Sequence, residues 1–325
     1  MLKGLVLAAA FGLLGYLLNK LGWDNIAEYA SKLNLKSILL ILILGYFENF
    51  FDSLALRECL HKRLHPLKAL FINQAGASVN MFVPFEGGEV LKISLLKKAC
   101  GGQHSIAGIV QWNYISKLTK SLGIFGASTA AFFMATNDVQ KHISTVLLAL
   151  AAASFSIYLG FRIIIKLRMA EKIIRALARL NILKKSADAL VSKAKDVDSM
   201  VNTFYRDNKR AHTMVLIYQM LARIVNLITL WYLLHIFAGY GLFEALLVYS
   251  GINLATFITL IFPNRIGVDE GAGYILFGFL GLEPALGILI QFIIRLKNTA
   301  ITGVALPIAL IAKDTPNSDD ADNLE

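Results

Sequence analysis

The chain has 325 residues, of which 56% are apolar and 17% charged, with a mean hydropathy of +0.60. A soluble domain does not carry so apolar a composition, so the bilayer is the expected solvent. The net charge of +10 does not call for a nucleic-acid partner, because the basic residues cluster between apolar stretches, where the positive-inside rule accounts for them.

The first element is Lys3 followed by an apolar run through Leu18. No clear small-x-small cleavage site precedes Asn19-Lys20, so this run is read as a retained first span and not as a signal peptide. Full spans are expected near 2–18, 38–56, 105–134, 142–165, 212–238 and 284–311, each close to the roughly 20 residues that a bilayer requires.

Two further apolar stretches, 67–83 and 242–262, each run into a break rich in glycine and acid. The first break holds Asn80, Pro84, Phe85, Glu86, Gly87, Gly88 and Glu89; the second holds Pro263, Asn264, Arg265, Gly267, Asp269, Glu270 and Gly271. Hydrocarbon offers no water to unpaired backbone groups, so a broken helix bearing carboxylates at that depth must line an enclosed, hydrated cavity. Glycine serves simple turns and close helix packing as well, but a turn alone leaves Glu86, Glu89, Asp269 and Glu270 unexplained.

Charge then sets the topology. Arg57, Lys62, Arg63 and Lys68 flank one loop, and residues 162–210 carry thirteen Lys and Arg against five acids, so both segments are expected in the cytoplasm. A full crossing at Pro84 would strand Lys92, Lys97 and Lys98 outside, whereas a re-entrant pair keeps them inside. The same count places Gly239-Tyr240-Gly241 outside, so the stretch ending at Pro263 enters from the opposite face and returns by Gly281.

The expected fold is therefore an all-α polytopic membrane protein of about six full spans plus two re-entrant helix pairs, arranged as an inverted repeat with both termini cytoplasmic. Residues 1–37 form the first span and its external connection, 38–134 repeat one with its break near 84–89, and 135–211 span four with a basic insert. Repeat two covers 212–311 with its break near 263–271, and 312–325 is an acidic tail expected to be disordered. Repeats of this kind meet at a midplane site and permit alternating access.

Charges inside the spans agree with that arrangement. Lys117 and Lys120 follow the first break by about the distance at which Arg295 and Lys297 follow the second. Glu48 and Asp52 precede the first break as Arg223 and Asn226 precede the second, so an acid-to-arginine pair across the repeat axis is expected. Each such charge costs roughly 2.5–3.5 kcal/mol on insertion scales, which implies an interior partner or an anionic ligand. The plainer alternatives are pairs that only hold helices in register and, for Lys117 and Lys120, snorkelling toward an interface.

Within the insert, Ala187, Leu190, Ala194, Val197, Val201 and Phe204 recur at helical spacing among lysines, which fits an amphipathic helix on the anionic inner leaflet or a solvated hairpin against the protein. Cys59 and Cys100 lie in segments assigned to the cytoplasm and are expected to be reduced.

The breaks resemble signatures of the flippase-like transmembrane domain of lysylphosphatidylglycerol synthases, a family that also includes stand-alone proteins of envelope-lipid and glycan pathways. The first resembles Pro, then Gly-Glu, then a basic residue three positions on, carried by Pro84, Gly88-Glu89 and Lys92. The second resembles Pro, a glycine-bearing stretch, then Gly-x-x-Glu, carried by Pro263, Gly267 and Glu270. The chain departs from the pattern at Phe85-Glu86, where the family often has Gly and Arg, and at Asn264-Arg265, where it has a Gly-Gly pair.

The resemblance implies movement of a phospholipid or a polyprenyl-phosphate-linked lipid between leaflets of the cell membrane, with its tails in the bilayer. The expected ligand set is Glu86, Glu89, Lys92, Lys117, Lys120, Arg265, Asp269, Glu270 and Arg295. Hinges fall at Pro84, Gly87, Gly88, Pro263, Gly267 and Gly271, and pairing charges at Glu48, Asp52 and Arg223.

No metal, cofactor or catalytic activity is expected, lysyl transfer included, because the chain stops at Glu325 without the aminoacyl-transfer domain of the bifunctional proteins. No P-loop pattern occurs. The expected partners are an anionic lipid or lipid-linked glycan carrier, with a second copy or an envelope-biosynthesis protein left open. An ion-coupled carrier of a small anion is the main alternative. An intramembrane lipid-phosphate enzyme is the second, disfavoured because neither break contains Ser or His.

Overall fold

The computed structural model describes residues 31–80, 87–100, 102–166, 208–258 and 267–303, together with positions 12, 15, 16, 19, 22, 28, 29, 195, 199 and 305; the side chains at 98, 99, 102–104, 161–166 and 256–258 are not described. Within those residues the chain is helical, with no strand. The helices are α1 (Leu35–Cys59), α2 (Pro66–Asn80), α3 (Gly87–Cys100), α4 (Gly102–Met134), α5 (Asp138–Lys166), α6 (Lys209–Ala238), α7 (Leu242–Ile258), α8 (Val268–Phe279) and α9 (Pro284–Gly303).

Local chemistry explains the helix ends. The Asn34 carboxamide accepts from the Ser37 N–H at 2.8 Å and opens α1. That helix closes in a turn where His61 and Lys62 hold positive φ of 53° and 60°, braced by Arg57 Nε donating to the Leu64 carbonyl at 2.8 Å. Pro66 and Pro284 stand at the first positions of α2 and α9, where a missing N–H costs nothing. Gly239 ends α6 in the left-handed region, φ 68°, which glycine adopts without strain.

Four helices are long and apolar enough to cross a bilayer: α1, α5 over Asp138–Gly160, α6 and α9. The span expected at 105–134 is the 33-residue helix α4, which at about 1.5 Å per residue is ample in length. It is not among those four, because Gln111, Asn113, Lys117 and Lys120 interrupt its apolar run. The expected first span over 2–18, the insert near 170–210 and the tail after 311 lie outside the described residues, apart from isolated positions. The sides of α1, α5 and α6 that face away from the protein expose Leu39, Ile43, Phe47, Leu150, Ile157, Ile224 and Trp231, an apolar surface suited to lipid.

Two pairs of shorter helices, α2–α3 and α7–α8, pack against this frame. Asn80 at the end of α2 accepts from the Gly88 N–H at 2.6 Å, so the two ends of the first break are tied together. A Cβ on Gly88 would fall on the Gly76 carbonyl, and one on Gly287 on the Gly273 carbonyl, so these contacts bring backbone against backbone.

Side chains form two buried apolar clusters. One unites Ile41 of α1, Ile124 of α4, Leu230 of α6, Val248 of α7, Phe277 of α8 and Ile290 of α9. The other unites Ala55 of α1, Ile72 of α2, Leu96 of α3, Ile115 of α4 and Val215 of α6. Along α1, α4 and α6 the turns between the clusters carry polar and charged residues. The ends of α2 and α3 away from the first break belong to the second cluster, and the corresponding ends of α7 and α8 to the first. Cys59 and Cys100 are buried and free.

Candidate functional site

Among the described residues, four ion pairs build the polar layer between the clusters. On α3, Lys92 Nζ donates to Glu89 Oε1 at 2.9 Å, and Asn113 of α4 donates to the other oxygen, Oε2, at 3.2 Å. Lys92 is 2% exposed, and its ammonium lies 4.1 Å from the centre of the Trp112 ring, a cation–π contact that helps to replace its lost hydration. The indole N–H of Trp112 in turn donates to the Asp52 carbonyl at 3.1 Å, joining α4 to α1.

Asp52 and Glu48 lie one turn apart on α1 and both face α6. Arg223 Nη2 donates to Asp52 Oδ1 at 3.3 Å, to Ser116 Oγ at 3.3 Å and to Gln219 Oε1 at 3.1 Å. Asn226 donates to Glu48 Oε1 at 3.0 Å, and Lys297 of α9 reaches Glu48 Oε2 at 2.9 Å. Gly45 makes room for that lysine, since a Cβ there would clash with the Lys297 stem and with Ile301.

The fourth pair is the most enclosed. Glu270, 0% exposed, receives Arg295 Nε at 2.7 Å and Nη2 at 2.9 Å, a two-pronged contact. Glu270 Oε2 also accepts from the Gly267 N–H at 2.9 Å and so caps α8, whose preceding residue, Gly267, sits at φ 76°. Glu89 and Glu270 are each the third residue of the helix that follows a break. Each is held by the span beyond it, from 24 residues on at Asn113 and 25 at Arg295.

Among the described residues, the four cations Lys92, Arg223, Arg295 and Lys297 thus face four acids, Glu89, Asp52, Glu270 and Glu48. Isolated charges at this depth would be prohibitive, whereas pairs with further hydrogen bonds are tolerated.

Of the residues expected from sequence, Glu89, Lys92, Glu270, Arg295, Glu48, Asp52 and Arg223 come together here. Lys117 and Lys120 are half-buried on α4 beyond Asn113 and Ser116, and Asp269 is half-buried at the start of α8. Gly87 and Gly88 open α3, and the Gly271 N–H makes the first turn of α8 by donating to the Gly267 carbonyl at 2.9 Å. Pro84, Glu86, Pro263 and Arg265 lie outside the described residues. Sequence reasoning missed Trp112, Asn113, Ser116 and Gln219. The signal was available on α6, where Gln219, Arg223 and Asn226 recur at helical spacing on one face of an otherwise apolar span.

Beside the Glu48–Lys297 pair an open groove of about 590 Å³ runs between α1, α2 and α9, lined by Leu39, Ile43, Tyr46, Phe47, Gln74 and Ile301. Its lining is apolar except for Gln74. Among the described residues no group of three His, Cys, Asp or Glu side chains converges as a metal site would require.

Apolar helices that cross the bilayer around a buried ionic layer define the class: a polytopic helical membrane protein with a charged interior. Within that class the chain belongs to the lysylphosphatidylglycerol synthase TM region family, whose profile matches residues 1–305. No curated protein and no solved structure matches it.

Proposed function

We propose that this protein is a lipid translocase that carries a phospholipid or a polyprenyl-phosphate-linked lipid from one leaflet of the cell membrane to the other. The observation that carries the reading is the layer of four ion pairs, with Lys92, Glu270 and Lys297 buried and their neighbours half-buried, set between two apolar clusters. Intramembrane charges at such cost, facing the interior, mark a substrate path. Family membership favours a lipid as cargo.

The two helix pairs are re-entrant in this reading. The attachment of the outer ends of α2–α3 to one apolar cluster, and of α7–α8 to the other, supports their entering from opposite faces as an inverted repeat. The headgroup crosses through the ionic layer, where Lys117, Lys120 and Asp269 supply further charge along the path. The groove of α1, α2 and α9 leaves the tails in lipid. The protein is multi-pass with cytoplasmic termini and performs no covalent chemistry.

Sealed proteoliposomes holding fluorescent phosphatidylglycerol, phosphatidylcholine or a polyprenyl phosphate, with an entrapped anion as control, test this directly. An anionic lipid is expected to exchange between leaflets faster than in protein-free vesicles while the entrapped anion stays inside. Efflux of the anion without lipid exchange would instead establish a solute carrier.

A further inference from the structure

Three of the four cations in the layer are closed by close contacts of 2.7–2.9 Å to their own acids. Arg223 is not. Arg295 fills its Nε and Nη2 edge with the two oxygens of Glu270. Arg223 Nη2 is shared among Asp52 and Ser116 at 3.3 Å and Gln219 at 3.1 Å, while its Nε–H is buried and meets no acceptor. One turn away, Gln219 is fully buried, and its Nε2 amide makes no close hydrogen bond, the Asp52 carboxylate being the acceptor it faces. Native proteins rarely keep buried donors unmet unless a ligand, ion or water satisfies them, and here two face the same charged residue's surroundings.

We propose that Arg223 and Gln219 of α6 form an oxyanion seat for a phosphate group, with the Ser116 hydroxyl at its rim and Asp52 as the internal anion that holds the guanidinium when no phosphate is present. The inference deepens the translocase reading by naming the cation that takes the headgroup. A tetrahedral phosphoryl oxyanion suits this edge, because its Nε–H is unmet, its Nη2 contacts of 3.1–3.3 Å are long for a guanidinium, and the amide adds a third donor. Asp52 makes one long contact to Arg223, so phosphate displaces it without breaking a two-pronged pair, and without dismantling the cap that Glu270 provides to α8. The ligand chemistry is shared by a lipid phosphodiester and by free phosphate, and binding distinguishes the two.

The test is equilibrium binding of fluorescent phosphatidylglycerol to the full chain in detergent micelles, with inorganic phosphate as a separate ligand, for the native protein and three variants. Arg223→Lys and Gln219→Met are expected to weaken binding about tenfold or more, as the loss of hydrogen bonds to a charged group implies. Asp52→Asn, which removes the internal competitor, is expected to tighten it several-fold. Gln219→Met without ligand is expected to melt no lower than the native protein, which separates a lost seat from a lost fold.

Binding of inorganic phosphate with this variant pattern, but not of the lipid, would support the seat and count against lipid as cargo. Equal lipid affinity across native protein and variants would overturn the seat while leaving translocation through another part of the layer standing. Binding of neither phosphate source would overturn it as well, leaving the two donors to water.

Discussion

At the scale of single residues, the layer's pairs differ in what they do for stability. Glu270 is enclosed, receives both prongs of Arg295 and caps α8, so Glu270→Gln takes this carboxylate from a guanidinium that is 13% exposed. Removing one partner of a buried pair costs about 3–5 kcal/mol. Thermal unfolding in detergent is expected to show a large drop for Glu270→Gln and substantial recovery when Arg295→Met is added. Much of this site was legible in the sequence, since Glu270 and Arg295 stood out as charges in apolar surroundings. An acid of α1 paired with Arg223 was legible too; that Asp52 takes that place, and that Glu48 meets Lys297 249 residues away, was not. Helical periodicity reports faces of one helix and carries no information on which faces meet.

At the scale of elements, the approach of α2 to α3 depends on glycine at one point. Gly88→Ala places a methyl on the Gly76 carbonyl, and overpacking of this kind costs about 1–3 kcal/mol. Gly126 on α4 faces open space, so Gly126→Ala is expected to leave the melting temperature unchanged or raise it, within the roughly 1 kcal/mol of helix propensity involved. Paired melting curves check both.

The segment before α1 is tied to the α8–α9 turn by the Tyr29 hydroxyl, which donates to Glu283 Oε2 at 2.7 Å. Burial first, and then that hydrogen bond, raise the Tyr29 phenol above its ordinary value of 10.0. With the folded value above the unfolded one, the stability from this tie is fully present below pH 10.0 and is lost as the pH rises beyond it. Tyr29→Phe is expected to flatten that alkaline decline in a profile of melting temperature against pH. Hydropathy located α1, α5, α6 and α9, but α4 departs from a simple apolar run because it supplies Trp112, Asn113 and Ser116 to the interior.

At the scale of the whole molecule, two apolar clusters flank a layer of paired charges to which α1, α3, α4, α6, α8 and α9 contribute. A purely structural layer would tolerate replacement of a pair by apolar residues of similar size, often with a gain in stability. A layer that carries a headgroup would fold after such a replacement and fail to transport. The decisive measurement is therefore leaflet exchange of a fluorescent anionic lipid by protein carrying Glu48→Met together with Lys297→Met, in sealed vesicles beside the native protein. The account predicts a variant that melts at or above the native temperature and exchanges lipid at least tenfold more slowly. Exchange at the native rate by that folded variant would contradict it.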